Sequence, residues 1–275
     1  MTDPGFAARY RAAVAERGRL CAGIDPHAAL LEQWGLPVSI EGLRAFAEAC
    51  VAGLGPTAAV IKPQVAFFEV FGSAGFAILE ETIAGCREAG ALVLSDAKRG
   101  DIGSTMAAYT GAWLDDASPL CSDAVTVSPY LGFGSLEPAV GQARRTGRGI
   151  FTLARTSNPD GGALQTADAG GRTVAQSIVD AAAAVNADGS GTVGVVVGAT
   201  REHGLDLSAL AGPVLSPGLG AQGATAADLA RIFAGSDLSW LLPAASRSIL
   251  RAGPDPAALA AAVVATRDEI EAALR

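Results

Sequence analysis

The chain has 275 residues, half of them hydrophobic, with 34 glycines and a formal net charge of −8. That length and apolar content suit one large α/β core in a single domain and exclude a disordered or low-complexity protein. The acidic balance argues against nucleic-acid and membrane partners, since either surface favours a basic patch. In chain order, short apolar runs ending in polar or Gly/Pro residues fall at 20–25, 58–62, 91–98, 124–129, 149–155, 192–199, 213–217 and 239–244. Between them, Ala-rich stretches with helical character fall at 40–54, 75–89, 103–114, 171–184, 226–234 and 256–274. In the last of these, Leu259, Val263, Ile270 and Leu274 form a stripe suited to covering a sheet. No Pro/Ser-rich linker or charge run divides the series, and 186–191 reads as an ordinary loop. Eight such βα units predict a closed (β/α)8 TIM barrel.

Cys21, Cys50, Cys86 and Cys121 are widely spaced, lack a Cys-x-x-Cys pair and adjoin apolar residues, so they are expected to be reduced and structural. With only His27 and His203, no zinc-ligand spacing exists, and neither a metal nor a cofactor site is predicted. The opening Met-Thr-Asp-Pro-Gly is not a signal peptide, and no apolar run reaches the length of a membrane span. A cytoplasmic protein is expected.

In barrels of this kind the chemistry sits just beyond the strand ends, so the residues after each apolar run carry the information. The first run ends in Asp25-Pro26 and the second in Lys62-Pro63-Gln64. Asp25-Pro26 serves equally well as a capping turn, whereas a lysine ending a barrel strand needs an anionic partner. The third run leads into Ser95-Asp96-Ala97-Lys98-Arg99-Gly100-Asp101-Ile102-Gly103-Ser104-Thr105, two carboxylates and one ammonium in close succession. Strand alternation puts Asp96 and Lys98 on one face, and a turn through Arg99-Gly100 is expected to fold Asp101 back beside Lys98. A lysine held between two carboxylates stays protonated, which suits proton donation to a carbanion. For an isolated Asp-x-Lys pair the ordinary reading is a solvated loop, so the rest of the rim must decide. The fourth run ends in Ser128-Pro129-Tyr130 and the fifth in Arg155-Thr156-Ser157-Asn158-Pro159. The seventh opens into a glycine-rich turn, Pro217-Gly218-Leu219-Gly220-Ala221-Gln222, and the eighth ends in Ser246-Arg247. Backbone N–H groups there, with the Arg247 guanidinium, predict a phosphate site.

Asp25, Lys62, the run from Asp96 to Thr105, Ser128-Pro129-Tyr130-Leu131-Gly132, the Pro217 to Gln222 turn and Arg247 together resemble the orotidine 5′-phosphate decarboxylase family. The likeness is to its longer-chain bacterial subgroup and covers 25–247. It implies cofactor-free loss of carbon dioxide from C6 of orotidine 5′-phosphate, giving uridine 5′-phosphate in pyrimidine biosynthesis. On the same basis, Asp96 faces the substrate carboxylate and Lys98 protonates C6. Ser128 meets the pyrimidine amide, Asp25 accepts a ribose hydroxyl, and Lys62 links the ribose to the carboxylate network. Gln222 and Arg247 hold the phosphate, with Ser246 beside them as a further substrate contact. Asp101, Ile102 and Thr105 are implied to reach into a partner subunit's site, which makes the protein a homodimer.

Two departures matter: the stretch 156–165 is long and the seventh-strand loop is short. The fifth-strand loop is therefore expected to help cover the substrate, with Gly161-Gly162 as its hinge. Two other functions fit the barrel less well. One is a metal-dependent sugar-phosphate aldolase or decarboxylase using Asp96; the other is a non-catalytic nucleotide-binding barrel. Against the last, buried charges are costly to keep without a role.

Overall fold

The computed structural model describes residues 5–220 and 223–275. Eight parallel strands, β1 (Cys21–Ile24), β2 (Val60–Pro63), β3 (Leu92–Arg99), β4 (Ala124–Val127), β5 (Gly149–Arg155), β6 (Val193–Val197), β7 (Val214–Pro217) and β8 (Leu241–Ala245), close in sequence order into a barrel. The seam is β1 on β8, through Cys21↔Ala244 and Ala22↔Ala245. The expected (β/α)8 architecture is therefore present. Strands such as the wholly buried Val193–Val197 are apolar without alternation, because helices cover the outer face and packed side chains fill the interior. Outside, helices such as Ile40–Leu54, Gly72–Glu88 and Pro256–Ala273 bury Leu43, Phe46, Leu79, Ile83, Leu259 and Val263 against the sheet. Inside, Cys21, Val60, Leu94, Phe151, Val196, Leu215 and Leu242 form a second cluster.

That inner cluster is closed by a helix that apolar spacing did not predict, Phe6–Arg17. Only Phe6, Ala7 and Tyr10 are buried on it, too narrow a stripe to read as amphipathic. Tyr10 stacks on Trp240 with ring centroids 5.7 Å apart, and Phe6 meets Phe151 edge-on at 6.1 Å. Two predicted boundaries shift for local reasons. The helix expected from 171 starts at Val174, because Thr173 caps it by accepting the Gln176 N–H at 3.1 Å. The strand expected from 239 starts at Leu241, since Leu238–Trp240 form a 3-10 turn capped by Asp237. The stretch 156–165 is not an open loop but a 3-10 turn, Pro159–Gly161, followed by a short helix, Gly162–Gln165. All four cysteines are free and buried, and no described helix is long and apolar enough to cross a membrane.

One irregularity bears on function. The β3–β4 ladder runs Leu94↔Ala124, Ser95↔Val125, then jumps to Arg99↔Val127. Two surplus residues are absorbed on β3, and Lys98 takes a φ of +47° there.

Candidate active site

At the C-terminal ends of the strands lies a cavity of about 330 Å³. Among the described residues it is lined by three cations, Lys62, Lys98 and Arg247, and two carboxylates, Asp25 and Asp96. The local surface is thus cationic inside an acidic protein.

Asp96 is the hub. Its Oδ1 accepts from Lys98 Nζ at 2.6 Å and from Thr126 Oγ1 at 2.9 Å. Its Oδ2 accepts from Lys62 Nζ at 3.1 Å and from Gln64 Nε2 at 2.8 Å. Burial alone would favour the neutral acid, but Lys62 and Lys98 outweigh it and hold the carboxyl well below the usual range. Burial likewise works against the Lys62 ammonium, yet Asp96 and then Asp25 raise its pKa above that of an ordinary lysine. Lys62 and Asp96 are 7% and 8% exposed, whereas the Lys98 side chain is 47% exposed, so Lys98 offers its ammonium to the cavity.

Asp25 follows β1 and its Oδ2 accepts the Ser246 hydroxyl across the barrel seam. A Cβ on Gly23 would lie 2.7 Å from Ser246 Cβ, so glycine is what lets the two strand ends approach. Asp25 Oδ1 is buried and has no hydrogen-bond partner, an acceptor left for a ligand hydroxyl. On the far wall, Thr156, Ser157 and Asn158 line the cavity, beside Pro217, Gly218 and Leu219 of the seventh-strand turn. Gln165 ties that wall down. Its Oε1 accepts from Thr156 N at 3.0 Å and Arg155 Nη1 at 3.1 Å, while its Nε2 donates to Thr156 Oγ1 at 2.7 Å.

The structure brings together Asp25, Lys62, Asp96, Lys98, Ser246 and Arg247, all named from sequence. Asp101 corrects the expectation for a single chain. It does not pair with Lys98; its Oδ1 accepts the neighbouring Ile102 N–H at 2.7 Å. Instead of two anions flanking one cation, two cations flank one anion, because the β3 bulge re-aims the chain after Lys98. Ile102 and Thr105 are exposed and lie outside this cavity. Ser128 also does not line it: half-buried at the end of β4, it donates its N–H to Arg99 O at 2.8 Å. Gln222 lies outside the described residues. Sequence reasoning passed over Thr126 and Gln64. The available signals were a lone hydroxyl within Ala124-Val125-Thr126-Val127, and an amide directly after Lys62-Pro63. Among the described residues, no three His, Cys, Asp or Glu side chains gather as metal donors.

This site can hold an anionic ligand against an ammonium whose carboxylate partner holds it in place. The comparisons agree with that chemistry. The family model described as orotidine 5′-phosphate decarboxylase / HUMPS family matches residues 18–263. Orotidine 5′-phosphate decarboxylase of Salinispora arenicola is 58% identical over 273 residues, covering 98% of each chain. That of Corynebacterium glutamicum is 56% identical, covering 95% of this chain and 96% of its own. The crystal structure of a Streptomyces avermitilis protein superposes with a TM-score of 0.96 at 52% identity, covering 100% of this chain and 97% of that one. Leishmania donovani OMP decarboxylase superposes at 0.76 with 31% identity, 98% of each chain being covered. With a family model spanning most of the barrel and relatives matching nearly end to end, the chain belongs to the orotidine 5′-phosphate decarboxylase / HUMPS family.

Proposed function

We infer that this protein decarboxylates orotidine 5′-phosphate to uridine 5′-phosphate, a step of pyrimidine biosynthesis. The observation that carries the reading is the exposed ammonium of Lys98, fixed at 2.6 Å on buried Asp96 inside a cationic cavity. The substrate brings two anionic groups, a phosphate and a carboxylate, and the three lining cations suit both. As the C6–carboxylate bond breaks, its electron pair stays on C6 and the carboxylate leaves as neutral carbon dioxide. Lys98 Nζ then delivers its proton to C6 and is reprotonated from water.

Such a reaction needs its barrier lowered by roughly 20 kcal/mol, more than one lysine supplies. Repulsion between the substrate carboxylate and Asp96 contributes less than a bare carboxylate would, since Asp96 already receives four donors. Pre-placed positive charge at C6 is the stronger device, because it costs no reorganisation during the reaction. Binding energy from the phosphate, through Arg247 and the Gly218 turn, pulls the reacting end into place. The open Oδ1 of Asp25 takes a ribose hydroxyl, with Ser246 and Lys62 orienting that carboxylate. The pyrimidine edge is read by Thr156, Ser157 and Asn158, which line the cavity, in place of Ser128, which does not. The fifth-strand segment closes over the base, and Asp101, Ile102 and Thr105 complete the site of a second copy in a homodimer.

The test is to add orotidine 5′-phosphate to chelator-treated protein and follow pyrimidine absorbance with carbon dioxide release. Rapid turnover, abolished in Lys98→Ala while uridine 5′-phosphate still binds, is expected. Turnover that appears only with a divalent metal would move the assignment to a sugar-phosphate enzyme. Binding without turnover would leave a nucleotide-binding barrel.

A further inference from the structure

We propose that Thr126 is a positioning residue for this decarboxylation, a hydroxyl clasp that fixes Lys98 at both its backbone and its ammonium. The proposal rests on the reading of Lys98 as the proton donor. Where β3 and β4 lose register, four steps along β3, from Ser95 to Arg99, face two along β4, from Val125 to Val127. Thr126 is the β4 residue inside that gap. Lys98, with φ +47°, occupies a region that side-chain-bearing residues rarely adopt, and the break in pairing deprives its amide of a ladder carbonyl.

Thr126 supplies the missing partner: its Oγ1 accepts from Lys98 N at 2.9 Å. The single proton of the same hydroxyl goes to Asp96 Oδ1 at 2.9 Å, the oxygen that Lys98 Nζ reaches at 2.6 Å. The contacts form a closed ring: Lys98 backbone to Thr126, Thr126 to Asp96, Asp96 back to the Lys98 ammonium. A hydroxyl is a donor and an acceptor at once, so one side chain satisfies both neighbours. Thr126 is 1% exposed, so water does not readily substitute for it. Its β-branched side chain is stiff about χ1, which makes the ring rigid. A hydroxyl among Ala124, Val125 and Val127 in a buried strand is unfavourable unless bonded, and here each of its bonds ends on the catalytic lysine or that lysine's counter-ion.

Without the hydroxyl, the Lys98 amide loses its partner and the backbone is free to relax toward ordinary extended geometry, carrying Nζ away from C6. Thr126→Val keeps the shape and removes the hydroxyl; Thr126→Ser keeps the hydroxyl. The valine variant is expected to lose kcat on the order of ten- to a hundredfold, with KM and uridine 5′-phosphate affinity within about threefold. The serine variant should recover most of that loss. Independently of activity, amide hydrogen exchange at Lys98 should accelerate in the valine variant and not in the serine one.

A valine variant with kcat within about twofold of wild type, or a serine variant that recovers nothing, would overturn the clasp. Unchanged exchange at Lys98 in the valine variant would do the same. Failure of the decarboxylase reading looks different: wild-type protein then shows no turnover, while the exchange contrast between the two variants persists and upholds the clasp as a structural device.

Discussion

At the scale of single residues, the charges at the cavity floor are an interdependent set, and Asp96 holds it together. Lys62 and Asp96 are both buried, so each offsets the desolvation of the other. Asp96→Asn strands the Lys62 ammonium in a poorly hydrated site, at a cost of about 3–5 kcal/mol at neutral pH. The sign of its pH dependence follows. In the wild type the raised Lys62 pKa gives stability that is full below its unfolded value and lost only as pH rises through the higher folded one. The depressed Asp96 pKa gives stability that is present above its unfolded value and lost as pH falls through the lower folded one. With Asp96 gone, burial, the largest influence on Lys62, is opposed chiefly by Asp25 and is expected to drive the folded pKa below the unfolded value, so the ammonium sheds its proton more easily. Urea unfolding should therefore show the Asp96→Asn deficit narrowing from pH 7 to about pH 9.5; a deficit that is constant or grows would mean that Lys62 is not the stranded group. At this scale most of the site was legible. A charge after an apolar run can be read directly, and Asp25, Lys62, Asp96, Lys98, Ser246 and Arg247 do converge. What escaped was whatever depended on the bulge: the left-handed Lys98, the Thr126 hydroxyl beneath it, and Asp101 turned away. Strand alternation assumes unbroken pairing, and nothing in Ser95 to Asp101 announces that two residues will be skipped.

At the scale of elements, repeated apolar runs disclosed all eight strands, because a buried parallel sheet needs them whatever the side-chain detail. The N-terminal helix escaped for the complementary reason. Its hold on the barrel is a plug of a few aromatics and not a stripe, and Phe6–Arg17 carries more polar residues than apolar anchors. Tyr10 is its main anchor, fully buried, stacked on Trp240 and donating its hydroxyl to Trp240 O at 3.2 Å. Burial also raises the Tyr10 pKa, so the phenol stays a neutral donor. Tyr10→Ala should cost about 3–5 kcal/mol, as for other buried aromatics cut to alanine, and Tyr10→Phe about 1 kcal/mol for the hydrogen bond. Because the plug closes the end of the barrel opposite the cavity, the folded Tyr10→Ala protein should keep KM and kcat within about twofold. Denaturant midpoints and steady-state kinetics on the same samples check both halves. A rise in KM would show that the two ends of the barrel are coupled through the inner cluster.

At the scale of the whole molecule, exposed apolar side chains recur in one sector of the rim. Ile102, Tyr130 and Leu131 are 61%, 76% and 53% exposed, and they follow the adjacent strands β3 and β4. Arg99, paired with Glu69 and lying 5.7 Å from the Tyr109 ring centroid, joins exposed Val70 and Tyr109 to the same sector. Exposed apolar side chains of this kind are what a second copy covers in a symmetric dimer. A side chain that acts across an interface has no complement within its own chain, and among the described residues Asp101 takes its side-chain hydrogen bond from the neighbouring Ile102 N–H. If it completes the site of the other subunit, then Lys98→Ala and Asp101→Asn, each inactive alone, should complement when their subunits are exchanged. Random pairing makes about half the dimers mixed, and each mixed dimer rebuilds one intact site beside one doubly defective one, so about a quarter of wild-type activity should return. A mixture as inactive as its components would place Asp101 and Lys98 in the same chain's site, or Asp101 outside the chemistry. Ile102→Lys separates those outcomes, because burying that charge in the interface should yield monomers by sedimentation, and their activity shows whether one chain suffices.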